Sequence, residues 1–186
     1  LPDKNMEGTM FLINRQHAVS EYFVPEALRK VEATGMSQSM REDAATALEE
    51  MFAAAKEEGV SLSTVSGYRS YSKQATIYER KKASQGEEEA DRVSARPGTS
   101  EHNTGFSADF NIAEDSFEST AMFTWMQEHA ADYGFVLRFP KDKQEKTGIV
   151  YESWHYRFVG INNAKEMNRL NMCLEEYVEY VNSKKK

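Results

Sequence analysis

The chain has 186 residues, of which 40% are hydrophobic and 28% charged, and its formal net charge is -7 at pH 7. This balance is typical of one globular domain and excludes a disordered chain. The acidic excess leaves no broad basic face for phosphate groups, so we expect no nucleic-acid partner. The single cysteine, Cys173, excludes an internal disulfide and a multi-thiolate metal site, and we expect it to be a small buried residue.

No apolar stretch of the sequence is long enough to span a bilayer. The chain begins Leu1-Pro2-Asp3, without an initiator Met or a signal-like apolar run, as a trimmed or mature form would. We therefore expect no membrane span in this chain, and any segment that targets or anchors it would lie upstream.

The first third of the chain changes from an aperiodic to a periodic pattern. Residues 1–36 carry few periodic signals, so we predict an extended lead-in that packs on a domain formed by residues 37–186. Ser39 and Glu42 have the spacing of a capping box, and apolar residues then recur at three- and four-residue steps until Gly59. This pattern predicts a helix of about five turns.

The later elements are predicted from apolar periodicity, β-branched or aromatic runs, and glycine or proline breaks. The expected strands are 62–66, 106–112, 135–138 and 151–159. The expected helices are 72–84, 87–95, 118–133 and 163–181, and a polar hairpin-like connection is expected over 141–148. Strands and helices without repeating βαβ units predict an α+β fold, a single domain with a small, mostly antiparallel sheet flanked by helices.

Two of the four histidines lie in polar contexts beside predicted strands. His102 stands in the segment SEHNTG and His155 in the segment ESWH, while Asp109 lies on the polar face of the predicted strand 106–112. Two imidazoles and one carboxylate form the ligand set of a catalytic zinc ion, which keeps a fourth position for water. The sequence therefore predicts one Zn²⁺ per chain, carried by the sheet.

Hydrolysis of an amide by a metal-activated water also needs a general base. Glu152, three residues before His155, is the candidate, but this spacing puts the two side chains on opposite faces of a regular strand, so the backbone must be irregular there. Arg69 follows the predicted strand 62–66. We expect its guanidinium either to stabilise the charge on the reacting carbonyl or to bind a terminal carboxylate, and the sequence does not separate these roles.

Three sequence blocks surround these residues: SGYRS at 66–70 followed by Gln74, PGTSEHNTG at 97–105 running on to Asp109, and ESWHYRFVG at 152–160. They resemble the D-alanyl-D-alanine carboxypeptidase family of the VanY and LdcB type, the zinc peptidases of peptidoglycan, and the resemblance covers residues 10–182. It implies three zinc ligands, a catalytic base, and a pocket for the substrate's terminal carboxylate and scissile carbonyl. The implied zinc ligands are His102, Asp109 and His155, and the implied base is Glu152. The implied pocket residues are Arg69, Gln74 and Ser100.

The resemblance further implies a metalloprotease that removes the C-terminal D-Ala from peptidoglycan stem peptides by means of a metal-activated water. Its substrate would be a muropeptide, and its location would be extracytoplasmic, in the bacterial cell envelope, secreted or anchored through a segment missing from this chain. We expect a monomer. Two positions depart from the family pattern, Ser153 where Pro is common and Phe139 where Tyr is common, and they put the substrate preference in question.

Several functions remain open at this point. Within the enzyme class they are D,D-cleavage of a pentapeptide, L,D-cleavage of a tetrapeptide, and an endopeptidase that cuts inside the stem. Arg69, Gln74 and Ser100 favour an exopeptidase, because such a cluster would bind a free carboxylate. From another class, a zinc-stabilised cell-wall-binding module would keep the three ligands but have no use for Glu152. A structural domain without metal would need neither the three ligands nor Glu152.

Overall fold

The structure is a computed structural model that describes residues 8–33 and 38–185. The strands in this part of the chain are β1 (Leu28–Lys30), β2 (Ser39–Arg41), β3 (Thr64–Ser66), β4 (Ser107–Phe110), β5 (Phe135–Phe139) and β6 (Glu152–Phe158). Four of them form one sheet in the order β3-β4-β6-β5, and β1 pairs with β2 separately. Every neighbouring pair is antiparallel. The predicted α+β class with a small antiparallel sheet is therefore confirmed.

Seven α-helices surround this sheet within the described ranges. They are α1 (Glu42–Glu57), α2 (Tyr71–Gln85), α3 (Glu87–Val93), α4 (Ala121–His129), α5 (Gln144–Thr147), α6 (Ile161–Leu170) and α7 (Leu174–Ser183). Short 3-10 helices cover Gly8–Met10, Glu101–Thr104, Asp115–Ser119, Ala130–Tyr133 and Lys141–Lys143. None of the described helices has the length and apolar character needed to cross a membrane.

The sheet separates two apolar clusters. The larger one joins the buried face of α1, including Leu48 and Met51, to aromatic side chains of the sheet such as Phe110 and Tyr156. The smaller one packs α6 and α7 against residues that include Val136. Because each helix buries one apolar stripe, the two clusters fix the helices against the strands.

The predicted capping box at Ser39 and Glu42 is wrong. Ser39 belongs to β2, where it pairs with Lys30, and this long-range pairing takes its backbone away from the helix. The helix α1 begins at Glu42 instead, and its N-cap, Arg41, makes no side-chain capping hydrogen bond. The acidic residues of the first turn, Glu42 and Asp43, favour the helix N-terminus through the helix dipole.

Three predicted segments are interrupted or differently folded. The helix predicted over 118–133 divides at Ala130, where α4 gives way to a 3-10 helix. The helix predicted over 163–181 breaks at Asn171, whose φ of 50° lies in the left-handed region that asparagine tolerates better than most residues. The predicted hairpin-like connection over 141–148 is instead two short helical turns.

The strand predicted over 106–112 is shorter than expected and has no exposed polar face. All four residues of β4 are buried, so Asp109 lies inside the protein. Asn111 ends the strand with a φ of 46°. The alternation of polar and apolar residues therefore marks two buried environments, an apolar one on one face and a polar one on the other.

The predicted boundary between residues 1–36 and 37–186 lies outside the described residues and stays a prediction. The described part of the lead-in is in contact with the rest of the chain, since Ile13 is buried and Val31 belongs to the larger apolar cluster. Cys173 is buried at the start of α7, as expected.

A network of four charged side chains links the sheet to α7. Arg138 on β5 donates from Nη1 to Glu175 Oε1 at 2.7 Å, and its Nε lies 3.0 Å from Glu101 Oε1. Arg157 on β6 donates from Nη1 to Glu101 Oε2 at 2.7 Å. Both guanidinium groups are fully buried. Two positive and two negative charges compensate one another, which is the condition for burying them at all.

We expect Gly134→Ala to destabilise the fold more than Gly59→Ala. Both glycines have a positive φ, 88° and 79°, but a Cβ at Gly134 would lie 2.9 Å from the carbonyl carbon of Gly160, whereas nothing lies within 4 Å of one at Gly59. The positive φ destabilises both variants. We expect the clash to lower the free energy of unfolding of Gly134→Ala by about 1–3 kcal/mol more. Urea unfolding of both variants measures the difference, and equal losses would contradict the packing at Gly134.

We expect Glu175→Gln to lower the free energy of unfolding by about 1.5–3 kcal/mol, the usual worth of hydrogen bonds to a charged group. Burial alone would raise the pKa of Glu175, but Arg138 outweighs it and holds the pKa below its ordinary value. The ionised carboxylate therefore stabilises the fold above the unfolded-state pKa, and this stabilisation is lost as pH falls through the lower folded-state pKa. Urea unfolding between neutral and acidic pH should show the gap between wild type and variant closing on acidification; a constant gap would contradict the assignment.

Candidate active site

The three predicted metal ligands meet at the centre of the sheet. Asp109 on β4 and His155 on β6 are direct partners in the strand register, which puts both side chains on one face. His102 comes from the 3-10 helix Glu101–Thr104, whose N-cap, Ser100, accepts the His102 backbone N–H at 3.2 Å. One ligand atom from each of the three lies within 4.8 Å of the others.

Each imidazole turns one nitrogen toward Asp109. His102 Nε2 lies 3.2 Å from Asp109 Oδ2, and His155 Nδ1 lies 3.0 Å from Asp109 Oδ1. The other nitrogen of His102, Nδ1, lies 2.7 Å from the carbonyl oxygen of Gly67, which can only accept a hydrogen bond. His102 therefore carries its proton on Nδ1 and keeps the Nε2 lone pair for a metal.

This donor set fits a zinc ion. Nitrogen and carboxylate oxygen are ligands that zinc takes, and three protein ligands leave a position for water. The carbonyl of Gly67 fixes the tautomer of His102 in the way that partners of metal-bound histidines do. Among the described residues, His102, Asp109 and His155 form the one group of three or more such side chains close enough to share an ion.

The charges around the three side chains favour a cation. Burial alone would raise the pKa of Asp109, but the two imidazoles hold it well below its usual range. Burial alone would lower the pKa of His155, but the carboxylates of Asp109 and Glu101 raise it to about 9. At His102 burial dominates and lowers the pKa. Positive charge is thus stabilised beside His155 and Asp109, where a metal would lie.

Glu152 reaches the same place because β6 is irregular. Leu137 pairs with Tyr156 but Phe139 pairs with Glu152, so one residue of β5 faces three residues of β6 between these pairs. This shift supplies the irregular backbone that the spacing of Glu152 and His155 requires. Glu152 Oε2 lies 3.8 Å from His155 Nδ1, and burial raises the pKa of Glu152 to about 7.

Arg69 is held in the wall beside these groups. Its Nη1 donates to Gln74 Oε1 at 3.1 Å, and its Nη2 donates to Asp109 Oδ2 at 3.4 Å. Gln74 is buried, and its own amide nitrogen donates to the carbonyl of Ala95 at 2.8 Å. Protein groups therefore use both ends of the Gln74 amide, and this amide fixes the direction of the guanidinium.

One cavity of about 620 Å³ contains all seven predicted site residues. They are Arg69, Gln74, Ser100, His102, Asp109, Glu152 and His155. Phe139 closes one side, with its ring centroid 4.8 Å from that of His155. A cavity of this size is typical of small-molecule and peptide-end sites. The structure brings together every side chain that the sequence selected.

The sequence interpretation missed the charged side chains behind the histidines. Glu101 lies next to His102 in the chain, and its Oε1 lies 3.9 Å from His155 Nε2. Arg138 and Arg157 neutralise Glu101, and Arg138 stands in the otherwise apolar strand β5. A charge inside an apolar strand was the available signal, because it predicts a buried partner of opposite sign.

Comparison with known proteins agrees with this geometry. The family model described as VanY, D-alanyl-D-alanine carboxypeptidase, matches residues 37–161. The chain is 39% identical to YodJ of Bacillus subtilis over 190 residues, which cover 96% of this chain and 70% of that protein. It is 36% identical to a D-alanyl-D-alanine carboxypeptidase of Enterococcus faecalis over 185 residues, which cover 92% of this chain and 66% of the relative.

Solved structures show the same fold. The LD-carboxypeptidase LdcB matches with a TM-score of 0.86 and 39% identity, over 95% of this chain and 88% of that one. A mutant of the D,D-pentapeptidase VanY in complex with Zn(II) matches with a TM-score of 0.80 and 34% identity, over 92% of this chain and 99% of that one. Family match, sequence identity and fold agree, and the chain belongs to the VanY family of D-alanyl-D-alanine carboxypeptidases.

Proposed function

We propose that this protein is a zinc-dependent carboxypeptidase that removes the C-terminal D-Ala from peptidoglycan stem peptides. The observation that carries the proposal is the convergence of three metal-ligand side chains with a separate carboxylate, Glu152, in one cavity. The VanY relative solved with Zn(II) supports the choice of metal. The VanYB structure in complex with D-alanine-D-alanine, 34% identical to this chain, supports the choice of substrate end.

We assign the metal to His102 Nε2, a carboxylate oxygen of Asp109 and His155 Nδ1, the atoms that face one another. A zinc ion bound there lowers the pKa of a coordinated water and polarises the carbonyl group to be cleaved. All three side chains are buried, so the attraction between a bound cation and Asp109 is weakened less than it would be in bulk water.

Glu152 is the general base in this proposal. Its carboxylate lies beside His155 without belonging to the group of ligand atoms, so it remains free to take a proton from the attacking water. It then gives a proton to the leaving amine of the terminal D-Ala. A binding module without turnover has no use for a half-buried carboxylate at this point, which is why we favour the enzyme.

The guanidinium of Arg69 supplies a positive charge for the carboxylate at the end of a peptide substrate. Gln74 holds its Nη1, so the guanidinium is fixed beside Asp109 within the cavity. We propose that it pairs with the terminal carboxylate of the substrate, with Ser100 in the same wall, and this makes the enzyme an exopeptidase. Its nearness to Asp109 also allows it to stabilise charge on the scissile carbonyl, a role that kinetics can separate.

The remaining assignments follow from the substrate. We propose that the protein acts outside the cytoplasmic membrane, in the bacterial cell envelope, because the muropeptide substrate is there. We further propose a monomer, because a single chain supplies every group of the cavity. Light scattering on the zinc-loaded protein would test the monomer.

We expect the zinc-loaded protein to release one alanine from a stem pentapeptide, a stem tetrapeptide, or both. Mass spectrometry of the products identifies the cleaved bond and separates D,D- from L,D-carboxypeptidase activity. Removal of zinc by a chelator should abolish release, and added zinc should restore it. Cleavage inside the stem would establish an endopeptidase, and no cleavage of peptides or intact cell wall would favour the binding module.

We expect Glu152→Gln to bind one zinc ion per chain and to lose at least about 10²-fold in kcat, because the base is gone while the ligands remain. His155→Ala should lose both zinc and activity. Metal analysis and alanine release measure the two effects, with Glu145→Gln, an exposed acid of α5, as the control. Near-normal turnover in either active-site variant would refute the mechanism.

Arg69→Lys separates the two roles of the guanidinium. A lysine keeps the charge but loses the bidentate pairing with a carboxylate. If Arg69 binds the terminal carboxylate in both ground and transition states, KM should rise with little change in kcat. A fall in kcat at constant KM would instead assign Arg69 to the scissile carbonyl and contradict our assignment.

A further inference from the structure

We infer that Glu101 is a positioning residue, which holds the His155 imidazole by the ring nitrogen that faces away from Asp109 and so presents His155 Nδ1 to the metal. The inference rests on the proposed function, because it concerns the same metal site. It assigns a task to a buried acid that does not belong to the group of candidate metal ligands.

The two nitrogens of His155 have different surroundings. Nδ1 lies 3.0 Å from Asp109 Oδ1, on the side where the ligand atoms converge. Nε2 is buried and has no hydrogen-bond partner, and Glu101 Oε1 lies 3.9 Å away from it. An imidazole that coordinates through Nδ1 keeps its proton on Nε2. A buried N–H without an acceptor costs about 1–3 kcal/mol, so a small shift of the imidazole toward Glu101 Oε1 is favoured.

Glu101 is itself fixed in place. Its Oε1 accepts the hydroxyl of Ser107 at 3.1 Å and lies 3.0 Å from Arg138 Nε. Its Oε2 accepts Arg157 Nη1 at 2.7 Å. Two buried guanidinium groups contact this carboxylate, which lies behind His155 and compensates their charge. Such a charge fixes the tautomer of a metal-bound histidine and raises the basicity of its ligand nitrogen.

The two arginines are in turn held from outside. Arg138 pairs with Glu175, which also accepts Asn14 Nδ2 at 3.0 Å. Arg157 donates from Nη2 to the carbonyl oxygen of Thr9 at 2.9 Å. Neither arginine can turn away from Glu101 without losing these bonds. The carboxylate behind His155 therefore has a fixed position as well as a fixed charge.

Glu175 provides a matched control. It is the other acid of the network and shares Arg138 with Glu101, but it accepts Asn14 Nδ2 instead of facing a histidine. If the network served only to balance buried charge, Glu101→Gln and Glu175→Gln would have similar effects on stability and none on the metal. If Glu101 positions His155, only Glu101→Gln changes the metal site.

The test compares both variants as zinc-loaded and cobalt-loaded full chains. Competition with a chromophoric chelator gives the zinc affinity, and the visible absorption of bound Co²⁺ reports the ligand geometry. We expect Glu101→Gln to weaken zinc binding about 10- to 100-fold and to alter the cobalt spectrum. Glu175→Gln should lower the melting temperature and leave both metal readouts at their wild-type values. Unchanged metal readouts in Glu101→Gln, or equal changes in both variants, would overturn the inference.

A measurement on the wild type covers the case in which Glu101→Gln does not fold. Nitrogen-15 NMR of the histidine rings in the zinc-loaded protein reports which nitrogen of His155 carries the proton. We expect a proton on Nε2 and the metal on Nδ1; the opposite arrangement would overturn the inference.

The outcome also separates this inference from the proposed function. Wild-type protein that binds no zinc would refute the metal site itself. Wild-type protein that binds zinc, together with a Glu101→Gln variant that binds it equally well, would refute the role of Glu101 alone.

Discussion

The pairing of Asp109 with His155 across β4 and β6 is the constraint on which the candidate site depends. Because side chains alternate between the faces of a strand, a slip of one residue would turn one of the two away from the other. The adjacent pairs hold the register. Ala108 faces Tyr156, whose ring lies in the larger apolar cluster, and Ser107 faces Arg157, whose charge must meet Glu101. The apolar core and the buried charges thus keep the two candidate ligands opposite each other.

The sequence was sufficient for what depends on local pattern or on contiguous motifs. The periodicity of α1 predicts its buried face, and the blocks around His102 and His155 predict the side chains that meet in the candidate metal site. Where contact with a distant segment determines the local structure, the sequence did not predict that structure. Ser39 has the local spacing of a helix cap, but its pairing with Lys30 in β1 places it in a strand. The residues around Asn171 do not show whether it continues the helix or ends it with a left-handed backbone, as it does in the structure.

The same distinction applies inside the site. The spacing of Glu152 and His155 shows that the backbone must be irregular there, but the form of the irregularity is set by the pairing with β5. Gln74 can be selected from its motif, yet only the structure shows that both ends of its amide are bonded to the protein. The charges of Glu101, Arg138 and Arg157 compensate one another across three separate elements, so no single segment of sequence indicates their partnership.

The contacts of Thr9 and Asn14 have a consequence for the order of folding. The bond from Arg157 to Thr9 closes a loop of 148 residues, and the bond from Asn14 to Glu175 closes one of 161. Contacts between residues so far apart form slowly, because the loop-closure entropy must be overcome before they contribute any stability. During synthesis, the carboxylate behind His155 cannot reach its final environment until α7 has left the ribosome. The buried charges beside the candidate metal site therefore reach their final arrangement only after α7 has been made.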